Sequence, residues 1–104
     1  MTEKQLTHEA VMALPLHPLT AWDEVSFSRR LARVVALVLP DLGDEESALA
    51  LAKNCVTVFA ALRGALPDVR TPEDLLYRLT LDEIAGLAAR YARLSAGWVE
   101  GEDA

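Results

Sequence analysis

One stretch of this sequence repeats its apolar residues at the spacing of an α-helix. Between positions 48 and 66 they recur every three or four residues, which places their side chains on one helical face. A half-buried strand would alternate at every second position instead. Asp44 precedes the stretch as an N-cap and Pro67 follows it as a stop. We therefore predict an amphipathic helix from Asp44 to about Pro67. Its buried face consists of Ala48, Leu51, Ala52, Cys55, Val58, Phe59, Leu62 and Leu66.

Start and stop signals divide the rest of the chain into four further helices. A Ser or Thr cap followed three residues later by an acidic residue satisfies the first free amides of a helix. Proline ends a helix because it lacks the amide hydrogen and its ring clashes with the preceding turn. These signals predict helices from Glu3 or Thr7 to Leu14, from Thr20 to Leu39, from Thr71 to Leu79, and from Thr80 to about Leu94.

The composition agrees with a helical fold. Leu and Ala dominate the 104 residues, and aromatic residues make up only 6%. Ala and Leu lead the helix scale, whereas strands favour aromatic and β-branched residues. We predict an all-α fold, a compact bundle of four to five helices, with residues 1–96 as a single helical domain. The final stretch 97–104, "GWVEGEDA", is predicted to be an acidic, flexible tail.

The charge balance excludes several classes of partner. The formal net charge is −6, whereas proteins that bind nucleic acid or anionic membranes through their charge carry dense Lys and Arg surfaces.

The most apolar run, 31–40, is interrupted by Arg33 and is too short to span a bilayer. No secretory signal is visible, and the single cysteine suits a reducing compartment. We therefore predict a cytoplasmic protein that binds no membrane and does not bind nucleic acid nonspecifically through its charge.

Residues with catalytic or metal-binding chemistry are few. His8 and His17 are the only histidines, and neither has a second ligand at helical spacing. Cys55 lies on the apolar helix face, where burial opposes the thiolate that a nucleophile needs. The serines lack the glycine context of a nucleophile elbow. We predict no catalytic residue, no metal site, no cofactor and no enzymatic activity.

Two other features can be interpreted in more than one way. Arg29, Arg30 and Arg33 form either a solvated helix face or a contact for phosphate or an acidic partner. Trp22, in a broad apolar helix, is predicted to lie in the core. Trp98 either folds back on the last helix near Leu94 or is an exposed anchor for a partner, since tryptophan is enriched at binding hot spots.

The segment "TLDEIAGLA", 80–88, matches the first helix of a helix-turn-helix. Such a motif needs a turn next, followed by a recognition helix. Here the chain continues "ARYARL" without a breaker, so we predict one uninterrupted helix in which Gly86 permits close helix contact. A small helix-turn-helix DNA-binding regulator remains the alternative functional interpretation.

The longer segment "LTLDEIAGLAARYARL", 79–94, which follows "TPEDLLYRL", resembles the C-terminal helical part of small tail assembly chaperones of long-tailed bacteriophages and prophages. The resemblance covers the last third of the chain. It rests on Leu79, Thr80, Asp82, Glu83, Ile84 and Tyr91.

That resemblance implies a non-enzymatic protein of the bacterial host cytoplasm that binds the tape measure protein while tail tube subunits assemble around it. The resemblance implies that the chaperone binds an apolar helix of the tape measure protein in a groove and needs no cofactor. The predicted partner-binding residues lie on one side of the last helix and at its exit. They are Leu87, Tyr91, Leu94 and Trp98.

Overall fold

A computed structural model describes the backbone of residues 7–102 and the side chains of residues 7–98. Every regular element in this part of the chain is helical, so the predicted all-α fold is confirmed. The α-helices are α1 (His8–Met12), α2 (Ala21–Val25), α3 (Phe27–Leu42), α4 (Glu45–Leu62), α5 (Leu75–Arg78) and α6 (Leu81–Glu102), and a 3₁₀ turn, Pro72–Asp74, precedes α5.

The predicted start signals form hydrogen-bonded caps. At α2, the Thr20 amide donates to the Asp23 carboxylate at 2.9 Å, and the Asp23 amide donates to the Thr20 hydroxyl at 3.1 Å. Each bond satisfies an amide that has no partner within the helix. Reciprocal pairs of the same kind start the 3₁₀ turn and α6, and single side chains cap α1 and α4. The capping residues are Thr71 with Asp74, Thr80 with Glu83, Thr7 and Asp44. The alternative start at Glu3 lies outside the described residues.

The predicted helix from Thr20 to Leu39 is two helices, and the break falls at Ser26. The Ser26 hydroxyl donates to the Trp22 carbonyl oxygen at 2.7 Å. Serine side chains compete in this way with the backbone hydrogen bonds of a helix. Ser26 is 2% exposed, so the break is also packed against the rest of the molecule. The prediction of one continuous helix was therefore wrong.

The ends of α3 and α4 also differ from the prediction. Helix α3 continues through Pro40 and ends at Gly43, whose φ of 73° is left-handed and whose amide donates to the Leu39 carbonyl at 2.8 Å. Helix α4 ends before the predicted Pro67, because Arg63 and Gly64 turn the chain with φ of 53° and 80°. A residue with left-handed backbone ends a helix, and the spacing of apolar residues does not indicate where such a residue lies.

Helix α4 lies at the centre of the core. It packs against α3, α6, α5 and the 3₁₀ turn. Four of its core positions are alanines, which let neighbouring helices approach closely, and Leu66, in the turn after α4, is buried although it is not helical. The buried apolar residues contributed by α4 are Ala48, Ala52, Cys55, Val56, Val58, Ala60, Ala61 and Leu62.

Helix α1 and the connector after it are held by one side of α6. A Cβ atom on Gly86 would lie 2.6 Å from Met12 Cε, so the predicted close helix contact at Gly86 is confirmed. The Arg90 guanidinium donates to the carbonyl oxygens of Met12 and Leu14, which caps the C-terminal end of α1 with a cation. Glu83 Oε2 lies 2.9 Å from His8 Nδ1. These α6 residues recur at positions 83, 86 and 90, on one helical side.

Helix α6 continues into the segment predicted as a tail. It runs without interruption from Leu81 to Glu102, so residues 97–102 of the predicted flexible tail have helical backbone. Residues 103–104 lie outside the described part of the chain. The uninterrupted helix also confirms that no turn follows "TLDEIAGLA". None of the helices in residues 7–102 combines the length and apolar character needed to cross a membrane.

We predict that Arg90→Ala detaches α1 from α6. Hydrogen bonds from a charged group contribute about 1.5–3 kcal/mol each, so loss of both bonds should lower the free energy of unfolding, measured by urea denaturation, by about 3 kcal/mol. Amide hydrogen exchange should accelerate in α1 before it does in α4. The control is Arg93→Ala, because Arg93 is exposed on the same helix. Equal stability of the two variants would contradict the role of Arg90.

We predict that Glu83 stabilises the folded protein at neutral pH and that this stabilisation is lost in acid. The hydrogen bond from the Thr80 amide, followed by the bond to His8, lowers the pKa of the Glu83 carboxyl from its ordinary value of 4.5. A lowered folded-state pKa contributes stability above the unfolded-state value, and this contribution is lost as pH falls through the folded value.

Glu83→Gln keeps an acceptor for the Thr80 amide but removes the charge. Wild type should exceed the variant in unfolding free energy at neutral pH by about 0.5–1 kcal/mol, the ordinary contribution of an acid in the first turn. This difference in unfolding free energy should shrink in urea titrations repeated at successively lower pH below 4.5, and it should vanish once the pH is below the folded-state pKa of Glu83. A difference that persists unchanged in acid would contradict this assignment.

Candidate protein-binding surfaces

The residues with nucleophilic or metal-binding chemistry have structural partners. Cys55 is fully buried, as predicted, and this burial, with a smaller effect of the Glu73 charge, raises the pKa of its thiol to about 12. His8 pairs with Glu83 between α1 and α6. Within residues 7–98, no group of three or more His, Cys, Asp or Glu side chains could hold a metal ion. The Cys55 thiol is therefore protonated at neutral pH and enclosed by apolar side chains.

The predicted partner-binding residues of α6 have different environments. Leu87 is 0% exposed in the core between α6 and α4, so its inclusion in an accessible surface was wrong. Tyr91 is half-buried and, among the described side chains up to Trp98, is the last one of α6 that packs against the core cluster. Leu94 is 38% exposed. Trp98 is half-buried and folds back on Tyr91, with ring centroids 5.5 Å apart and planes at 71°.

Three of the four predicted residues thus share one accessible side of α6. We call Tyr91, Leu94 and Trp98 the α6 stripe. Beyond Tyr91 the helix extends past the core: Ala92, Arg93, Ala96 and Gly97 are all exposed. The edge-on Tyr91–Trp98 pair is a favourable aromatic geometry, so the stripe presents an ordered apolar surface.

Trp22 lies outside the core, contrary to the prediction. Its side chain is 58% exposed, and the Arg29 guanidinium lies 5.5 Å from the centroid of its ring. Trp22 belongs to the short helix α2, which ends at Val25 before the break at Ser26, and not to the continuous helix that the prediction assumed. Since nothing in the apolar pattern marks that break, the sequence analysis placed Trp22 on the wrong side.

A cleft between α3 and the 3₁₀ turn brings together four arginines of a chain that has ten Lys and Arg residues in all. Its volume is about 160 Å³. The predicted cluster of Arg29, Arg30 and Arg33 supplies one wall, and Arg70, which the sequence analysis missed, supplies the other. Arg70 is distant in sequence, so no local pattern could have joined it to the cluster. Phe59, Thr71, Pro72 and Glu73 complete the lining.

The cleft continues into a shallow apolar ledge. Arg33 and Glu73 line both spaces, and the ledge, about 530 Å³ in volume, is completed by Ala36, Leu37 and Tyr77. Leu37 is 42% exposed and Tyr77 is 82% exposed. We call the cleft and the ledge together the arginine groove. One end of it is cationic and the other is apolar.

Comparison with protein-family models, with curated protein sequences and with solved structures gives no match to this chain. The features of the chain that bear on its function are the α6 stripe, the arginine groove and the sequence features described above.

We predict that Cys55 reacts with thiol reagents only when the domain opens. Because its pKa is about 12 and its side chain is fully buried, Ellman's reagent should label it at a rate that rises with urea in parallel with global unfolding. A matched control is Ala92→Cys in a Cys55→Ala background, since Ala92 is exposed on α6. The control thiol should react at once, and equally rapid labelling of native Cys55 would contradict the prediction.

Proposed function

We propose that this protein is a non-enzymatic protein-binding module that acts as a phage tail assembly chaperone for the tape measure protein. The observation that carries the proposal is the α6 stripe, which continues the apolar side of α6 beyond the core. The segment that resembles tail assembly chaperones is the same helix, so the resemblance and the exposed surface coincide.

The geometry of α6 suits recognition of an apolar helix. Tyr91, Leu94 and Trp98 lie within two helical turns, and the rings of Tyr91 and Trp98 contact each other. An amphipathic helix of the tape measure protein would pack its apolar residues against this side. The net charge of −6 would then keep the complex soluble by mutual repulsion between its copies.

The experiment compares two exposed leucines of α6, one inside the stripe and one at the start of the helix. Leu94→Ala should weaken capture of the tape measure protein in co-expression, since loss of an interface anchor costs about 2 kcal/mol of binding, or about 30-fold in Kd. The matched control is Leu81→Ala, because Leu81 is 63% exposed at the start of the helix and outside the stripe. Both variants should stay within about 1 kcal/mol of wild type in unfolding free energy, well below a core truncation.

Trp98→Ala provides a second measurement on the same surface. It removes the aromatic contact with Tyr91, which contributes about 0.5–1.5 kcal/mol, and it should weaken capture at least as much as Leu94→Ala does. If both variants capture the tape measure protein as well as wild type and Leu81→Ala do, the stripe is not the binding surface. If wild type captures none, the chaperone assignment is wrong.

A further inference from the structure

We propose that the arginine groove is a second docking site, which binds an acidic segment of a protein with two carboxylates one helical turn apart and an apolar side chain one turn further along. This site is carried by α3, the 3₁₀ turn and α5. It shares no residue with the α6 stripe, so it stands apart from the proposed chaperone function.

The first step of the argument concerns which arginines are available. Arg30 is occupied, because its guanidinium lies 3.4 Å from Asp23 Oδ1 and 5.3 Å from the centroid of the Phe59 ring. Neither Arg33 nor Arg70 forms a salt bridge with any side chain in residues 7–98. Arg29 lies over the Trp22 ring, a contact that leaves its hydrogen-bond donors free. Three guanidinium groups can therefore bind carboxylates at the cationic end of the groove.

The second step concerns spacing. Arg29, Arg33 and Leu37 follow one another at four-residue intervals on α3, which separates them by about 6 Å along the helix axis. Tyr77 faces Leu37 across the ledge. A partner helix lying along α3 would place two acidic residues against the two arginines and an apolar residue between Leu37 and Tyr77. The groove therefore specifies both the chemistry and the spacing of its partner.

The third step distinguishes a protein from other anions. A free phosphate would occupy the cleft alone and leave the exposed Tyr77 and Leu37 uncovered. Nucleic acid presents one phosphate after another, which the net charge of −6 repels. Arg and Tyr are enriched at protein-binding hot spots, and both residue types line this groove. Glu73, the one carboxylate in the lining, favours a partner with separate acidic residues over a dense polyanion.

The experiment measures fluorescence anisotropy with a labelled synthetic helical peptide that carries two glutamates four residues apart and a leucine four residues further on. Arg33→Glu should weaken binding about tenfold or more, because it replaces an attraction by a repulsion at the centre of the groove. Tyr77→Ala should weaken binding several-fold without a change in melting temperature, since Tyr77 is 82% exposed. Replacement of both peptide glutamates by glutamine should abolish binding.

The control on the protein side is Arg93→Glu, which makes the same charge change on an exposed part of α6 outside the groove. It should alter Kd by less than about twofold, as a screened surface charge does. Leu94→Ala should also leave peptide binding unchanged, which separates this site from the α6 stripe. Equal losses for Arg33→Glu and Arg93→Glu, no binding at millimolar peptide, or tighter binding to duplex DNA than to the peptide would each overturn the proposal.

Discussion

The close packing of α3 and α6 against α4 is the contact on which the rest of the structure depends. Alanines at positions 48, 52, 60 and 61 of α4 bring these helices near, and Val34 of α3 and Ile84 and Leu87 of α6 are fully buried in the same core. Burial of that apolar surface is the main force that holds a domain of this size together. The 3₁₀ turn and α5 pack on α4 as well, so both walls of the arginine groove are positioned by one core.

Polar contacts add to the apolar contacts that hold the short helix α1, in which Val11 is buried in the core. Helix α1 has five residues, far too few to be stable alone, and it is held by Glu83, Gly86 and Arg90 along one side of α6. Because that side of α6 is occupied by α1, and Leu87 faces the core, the accessible large apolar side chains of the described part of α6 are Leu81 at its start and those from Tyr91 onward. The position of the α6 stripe thus follows from what the first part of the helix already contacts.

The two surfaces suit different partners. The α6 stripe is apolar and lies on a helix that extends past the core, whereas the arginine groove joins cations to an apolar ledge. If both proposals hold, the protein would bind an apolar helix at one place and an acidic segment at the other. Such a module would link two protein segments, and each surface can be removed by substitution while the other is kept.

The sequence by itself determined the helical fold, the caps at Thr20, Asp44, Thr71 and Thr80, and the burial of Cys55, because each depends on residues within one or two turns of the chain. It also predicted Tyr91, Leu94 and Trp98 on one side of the last helix, but not how far each one is exposed. Only the tertiary structure decided that Leu87 is buried, that Trp22 is outside the core, and that Arg70 joins the arginines of α3. Those outcomes depend on a serine bond that breaks a helix, on left-handed turns and on contacts between distant residues, and the periodicity of apolar residues carries no information about them.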